Sequence, residues 1–195
     1  MNLVERAKNI VLSPKTEWPV IAGEAAEPGP ILMGYVLPLA LIPTIATAIG
    51  MGLIGAGPVA SLGLGVAMGV VTLVTSILGV LIGAFVVDVL APTFGSEKDF
   101  GRSLQLVAYS WTPAWLAGIL QIVPALGILG TLAGLYGIYL MYLGLPIIKK
   151  TPQEKQVVYL IVVLIAILVV YMIIAGVLGA TVAVLGFGML GAMGG

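Results

Sequence analysis

The chain has 195 residues, of which 61% are hydrophobic and only 8% charged, and its formal net charge is zero. Soluble domains carry about 25% charged residues, so this chain lacks the polar side chains to cover a water-facing surface, and a soluble fold is excluded. With no Cys and no His, disulfides, thiol chemistry, histidine bases and Cys/His zinc or haem sites are excluded as well. The neutral balance offers no basic face for nucleic acid. What remains is a small polytopic membrane protein.

Residues 1–30 hold seven of the sixteen charges: Glu5, Arg6, Lys8, Lys15, Glu17, Glu24 and Glu27. Leu3, Ala7, Ile10 and Val11 recur at helical spacing, with Asn2, Glu5, Arg6, Lys8 and Asn9 on the other side. That pattern predicts an amphipathic helix of about three turns lying on the membrane surface. It ends at Ser13-Pro14, because the residue before proline is pushed out of the helical region. A second short helix is expected from Thr16, as N-cap, carrying Trp18. Glu27-Pro28-Gly29-Pro30 reads as a breaker. No cleavable signal is expected, since the basic start is not followed promptly by an apolar run.

Beyond residue 30 the chain is almost continuously apolar, apart from two charged islands at 92–103 and 149–156. A crossing takes about 20 helical residues. The 61 residues before the first island hold two spans turning at Gly55-Ala56-Gly57-Pro58; the 45 residues Leu104 to Ile148 hold two more, turning near Pro124. The last 39 residues hold one span and a Gly-rich apolar tail. The expected fold class is therefore all-α: a transmembrane helix bundle with spans at about 31–54, 62–90, 104–123, 126–148 and 157–179, preceded by an interfacial segment 1–30. A sixth span or re-entrant piece from 180–195 is the alternative. All eight Lys and Arg fall in the N-terminal segment and the islands. The positive-inside rule then puts the N-terminus in the cytosol and the C-terminus outside.

Asp88 is the one Asp, Glu, Lys or Arg inside an expected span. An intramembrane carboxylate is costly and so a functional candidate. Four residues before Pro92, however, Asp88 can reach the inner interface and pair with Lys98 or Arg102, and anchoring is the favoured role. Pro38, Pro43 and Pro113 should kink their helices and free carbonyls, as in transporter midplane sites, but proline is frequent in membrane helices and neighbours usually re-satisfy such groups, so packing is favoured over a binding site. Hydroxyls come from Thr72, Thr75, Ser76, Tyr109, Ser110 and Thr112. Tyr136, Tyr139 and Tyr142 share one face of the fourth span, Tyr142 near the interface and the other two bonded to neighbours. Glycines four apart (65/69, 79/83, 130/134, 191/195) permit close helix approach, within the chain or between chains. No catalytic constellation is present, so an enzyme and a cofactor are not expected.

Leu12-Ser13-Pro14-Lys15-Thr16-Glu17-Trp18, then Gly34-Tyr35-Val36-Leu37-Pro38, resemble the bacterial branch of the Yip family, whose eukaryotic members are named for interaction with Ypt/Rab-type GTPases. The resemblance continues through Phe94-Gly95, Phe100, Tyr109-Ser110-Trp111-Thr112-Pro113, where the family shows Tyr-Ser-x-x-Pro, and Leu143-Gly144-Leu145-Pro146 followed by Lys150-Thr151-Pro152. It implies five spans with a cytosolic N-terminus. The chain departs from the eukaryotic members in its short N-terminal region, without their Asp-Leu-x-Gly-Pro element.

The expected function is that of a non-enzymatic inner-membrane protein that organises or shapes the membrane, with the lipid bilayer as partner and a second copy or other membrane proteins as further ones. The rival is a channel or transporter for a small solute or ion, built on kinked spans one to three, with Asp88, Tyr109, Ser110 and Pro113 as its polar site. The two readings differ in one feature. A transporter needs Thr47, Thr72, Thr75, Ser110 and Asp88 to line a common cavity; an organiser packs them against neighbours.

Overall fold

The computed structural model describes residues 2–54, 61–126 and 128–193, and every regular element among them is helical. Helix α1 runs Leu3–Leu12, with the Asn2 side chain accepting from the Glu5 N–H at 2.7 Å. Helix α2, Pro14–Ala22, starts two residues before the expected Thr16. Pro14 takes the first helical position, where a missing N–H costs nothing, and the Thr16 hydroxyl donates instead to the Ser13 carbonyl at 2.9 Å.

Glu27-Pro28-Gly29-Pro30 begins a helix instead of breaking one. Glu27 is extended and caps the short helix α3, Pro28–Ile31, and prolines at the first turn are pre-set for this role. The chain then runs helically to Ile54: a π turn Leu32–Val36, helix α4 Leu37–Ile49, and a second π turn Gly50–Ile54. The first π turn, closed by the Leu37 N–H on the Leu32 carbonyl, shifts the ladder just where Pro38 has no donor. The expected turn at 55–58 lies outside the described residues.

Helix α5, Leu62–Leu90, is capped by Ser61, whose Oγ accepts from the Leu64 N–H at 3.1 Å. A 3-10 turn, Ala91–Phe94, ends at Gly95 with φ +71°, a left-handed cap that glycine adopts without strain. At about 1.5 Å per residue α5 is about 43 Å long, more than the roughly 30 Å of hydrocarbon.

The expected third span is interrupted. Helix α6, Phe100–Ser110, is capped by Asp99, and helix α7, Thr112–Ala117, follows after a break at Trp111. Two 3-10 turns, Gly118–Ile122 and Pro124–Leu126, complete the segment. Pro113 causes the break: it leaves the Tyr109 carbonyl without its helical donor, and the Thr112 hydroxyl fills the place at 2.8 Å. Helix α8 is Ile128–Ile148, and helix α9 runs unbroken from Gln153 through Met193, past the expected end near Gly179. Three helical stretches, Pro28–Ile54, Leu62–Phe94 and Gln153–Ile173, are long and apolar enough to cross a membrane, and Leu132–Ile148 is a shorter apolar one. With large exposed apolar side chains along them, such as Val66, Val70, Ile165 and Leu168, this is a multi-pass integral membrane protein.

The glycine stripes on α5 serve contacts within the chain. A Cβ on Gly65 would stand 2.3 Å from the Ala48 carbonyl and 2.6 Å from the Gly52 Cα, so α5 presses directly on the first span's backbone. Gly79 and Gly83 receive Tyr171, Trp111 and Val107. Gly130 and Gly134, by contrast, face open space.

Candidate functional site

The buried polar groups gather at the end of the bundle where the charged islands and the N-terminal segment meet. Lys149 follows the last residue of α8, and its side chain is fully buried. Lys150 adopts a left-handed φ of 51° that turns the chain back, and the Lys149 carbonyl accepts from the Glu97 N–H at 3.0 Å. The Lys149 Nζ donates to Ser103 Oγ at 2.8 Å and to the Asp99 carbonyl at 3.0 Å, and lies 3.4 Å from Asp88 Oδ1. The Ser103 hydroxyl in turn sits 3.2 Å from the same carboxylate oxygen. All three ammonium protons therefore have oxygen partners. Burial pulls the Lys149 pKa below the ordinary lysine value, and the Asp88 carboxylate partly offsets that pull. Asp88 thus has a cation partner, but neither Lys98 nor Arg102 as expected. The Arg102 guanidinium turns to Gln105 Oε1 at 2.9 Å, and Lys149, 61 residues from Asp88 in sequence, takes its place.

A second cluster ties down the N-terminal segment. Arg6 is 5% exposed and donates to Glu17 Oε1 at 2.5 Å and also to Glu24 Oε1. Its guanidinium lies over the Tyr109 ring, 5.6 Å from the centroid. The rings of Tyr109 and Tyr35 meet edge-on at 4.5 Å. The Tyr35 hydroxyl is 2.7 Å from Thr112 Oγ1. That oxygen already gives its proton to the Tyr109 carbonyl, so Tyr35 is the donor. Tyr109 of the Tyr-Ser-x-x-Pro element, with Thr112 beside it, is therefore built into one relay of ring and hydroxyl contacts. Ser110 is not part of it: its Oγ is buried with no hydrogen-bond partner.

The apolar stripe on α1 faces protein. Ile10 is fully buried and Ala7 nearly so, both within the main core, and Leu3 and Val11 pack against it. The Val11 carbonyl accepts from the Tyr136 hydroxyl at 2.7 Å. Trp18, fully buried, lies against Gly144, where a Cβ would stand 2.9 Å from its ring. The Gln105 side-chain amide donates to the Ile21 carbonyl at 3.2 Å. The segment forms a hairpin of α1 and α2 seated on α6, α7 and α8, and what its outer face (Val4, Leu12, Val20) exposes is a different set of residues from the expected stripe.

Sequence reasoning passed over Lys149, Ser103, Arg6, Glu17 and Glu24. One signal was available. Glu17 and Ile21 recur at i and i+4, so a carboxylate shares the α2 face that carries the buried Ile21.

The remaining hydroxyls are occupied locally. Thr72 and Thr75 donate to the Met68 and Val71 carbonyls of their own helix at 2.9 and 2.8 Å, and Thr75 points outward. Thr47 pairs with Gln121. Among the described residues, no group of His, Cys, Asp and Glu could hold a metal ion.

Residues 8–175 match the family model described as Yip1 domain. No curated protein and no solved structure matches the chain.

Proposed function

The chain belongs to the Yip1 domain family, and from that premise we propose that it is a non-enzymatic inner-membrane protein that organises or shapes the bilayer. In this reading it has five spans, a cytosolic N-terminus and a C-terminus outside. One observation carries the reading: of the polar groups a transport path would need, all but the Ser110 hydroxyl are taken up by partners within the chain. Asp88 is paired with Lys149, Thr47 with Gln121, and Thr72 and Thr75 with their own helix. Pro113 frees the Tyr109 carbonyl, but Thr112 occupies it; Pro146 frees the Tyr142 carbonyl, but the Gln156 amide occupies it. Transporters build midplane sites from freed carbonyls at broken helices, and these two carbonyls are not free. The clustering of Arg102 and Lys149 with the Lys150–Glu97 pair at one end of the bundle supports the proposed orientation.

Reconstitution at rising protein-to-lipid ratio tests this. The expected outcome is a protein-dependent change in vesicle size and curvature by electron microscopy, with proton and cation flux equal to that of empty liposomes. Flux lost on Asp88→Asn, at unchanged melting temperature and with unaltered vesicles, would establish the transporter reading in its place.

A further inference from the structure

A cavity of about 250 Å³ lies between α6–α7, α8 and α9. Its mouth is formed by half-buried Trp111, Ala114, Gly134 and Leu164, and its floor by Ser110 and Gly137, both buried. The mouth belongs to helices whose neighbouring faces expose large apolar side chains: Leu132 and Leu135 on α8, Ile161, Ile165 and Leu168 on α9. It therefore opens toward the hydrocarbon of the bilayer. Apart from Ser110 the cavity walls are apolar side chains and glycine. The Ser110 hydroxyl is 1% exposed as a residue and has no hydrogen-bond partner, an arrangement that is costly in an apolar interior.

We propose that this cavity is a lipid site: it takes one acyl chain from the bilayer, and the Ser110 hydroxyl hydrogen-bonds an oxygen function of that lipid. Three features converge on this class of ligand. The apolar walls and the mouth toward hydrocarbon select a chain. The volume falls just under the roughly 300 Å³ at which pockets begin to house whole drug-sized molecules, so a flexible chain segment fits and a bulky ring system does not. The unpaired Ser110 hydroxyl is a donor left over for a polar atom of the occupant. The α8 glycines make the space. A Cβ on Gly134 meets nothing within 4 Å, whereas one on Gly137 would stand 2.6 Å from the Ser110 carbonyl, so Gly137 brings Ser110 close to α8 while Gly134 leaves the cavity open. The oxygen can belong to a free single-chain lipid or to the ester of a bilayer phospholipid.

The purified full chain, reconstituted in phosphatidylethanolamine–phosphatidylglycerol vesicles, tests the site. One preparation carries palmitic acid with a mid-chain diazirine, the other a phosphatidylcholine bearing the same chain. After illumination, adducts are mapped by mass spectrometry. The expected result is adducts concentrated at 111–114 and 134–141, competed by the unlabelled form of the same lipid. They should disappear in Gly134→Leu, whose Cβ meets nothing within 4 Å, and in Ala114→Phe, which fills the cavity from the opposite wall. Ser110→Ala should raise the competing concentration about three- to tenfold, the worth of one hydrogen bond. The probe that labels the site identifies the source of the oxygen. Labelling no denser than on the outward face of α5 at Val66 and Val70, and unchanged in both filled variants, would overturn the site; unchanged competition in Ser110→Ala would overturn the role of the hydroxyl.

Discussion

The Lys149 ammonium lies 3.4 Å from the Asp88 carboxylate across 61 residues of sequence, and Ser103 touches both. The pair joins the end of α5 to the end of α8 and the first turns of α6. Removing one partner of a buried pair leaves the other uncompensated and costs about 3–5 kcal/mol. Lys149→Met is expected near the lower end of that range, because Asp88 keeps the Ser103 hydroxyl and its side chain is 11% exposed. The double variant Lys149→Met/Asp88→Asn should lose at least about 1 kcal/mol less than the sum of the single changes, the mark of direct coupling. Thermal melts of the four proteins in one detergent give the coupling directly; additive losses would deny the ion pair any energetic role.

The same lysine makes stability depend on alkaline pH. Burial lowers the Lys149 pKa in the folded protein, while the unfolded chain keeps the ordinary value of about 10.4. Between the two values the unfolded state binds more protons, so stability rises with pH across that window. Below the folded pKa the desolvation penalty is present in full; above about 10.4 no further change is expected from this group. A wild-type melting temperature that rises relative to that of Lys149→Met on the alkaline side checks the sign.

Arg6 holds the N-terminal hairpin with two carboxylates, and its loss leaves Glu17 buried at 6% exposure. Arg6→Met should therefore release residues 3–22 with the bundle intact. A penalty of about 3 kcal/mol corresponds to roughly a hundredfold faster hydrogen exchange in that segment. Adding Glu17→Leu removes the stranded charge and should restore most of the protection. Exchange that rises equally throughout the chain would mean that the hairpin and the bundle unfold together.

What the sequence revealed and what it hid divide along physical lines. Helical period and composition belong to single segments, so α1, α5 and the end of α8 stand within a residue or two of where apolar runs and breakers put them. Pro28 to Pro30 misled because proline disrupts a helix interior but is pre-set for a first turn, and here it follows the extended Glu27 at the start of α3. The stripe of Leu3, Ala7, Ile10 and Val11 was visible as a stripe, but an apolar face has the same pattern whether lipid or protein covers it; here Tyr136, Trp18's neighbours on α8, and the core cover it. Lys98 and Arg102 were the natural partners for Asp88 by sequence distance. Lys149 wins because α8 packs along α6 and sets its own end beside Asp99 and Ser103, a contact no single-segment pattern encodes.

Two glycines on α8, three residues apart, should respond oppositely to the same change. Gly→Ala within a helix gains about 1 kcal/mol from backbone propensity. At Gly134 a Cβ meets nothing within 4 Å, so Gly134→Ala should show that gain. At Gly137 it would stand 2.6 Å from the Ser110 carbonyl, a backbone atom that moves only with α6. Overpacking of this kind costs about 1–3 kcal/mol, so Gly137→Ala should lower the melting temperature. Equal shifts in both variants would show that α6 and α8 are not in backbone contact at Ser110.

The hairpin also sets where cytosolic water meets the bundle. Tyr136 bonds the Val11 carbonyl about 12 residues before the end of α8, some 18 Å along the helix axis. The exposed residues Ser13 and Lys15 at the hairpin tip therefore stand beside Tyr136 and Tyr139, well above the charged end of the bundle. A lysine at that height needs water or lipid headgroups, because a charge in hydrocarbon costs about 3 kcal/mol or more. Tyrosines, half-apolar and half-polar, are suited to the same boundary. The expectation is that single cysteines at Ser13, Tyr139, Lys98 and Gln153 react with a membrane-impermeant maleimide only in inverted vesicles. Cysteines at Ser61 and Leu126 should react only in intact cells. If Lys98 and Gln153 react in inverted vesicles while Ser13 and Tyr139 stay protected, the hairpin tip is immersed in the bilayer and the water line lies at the charged islands. Reaction of Ser13 from the outside would reverse the proposed orientation.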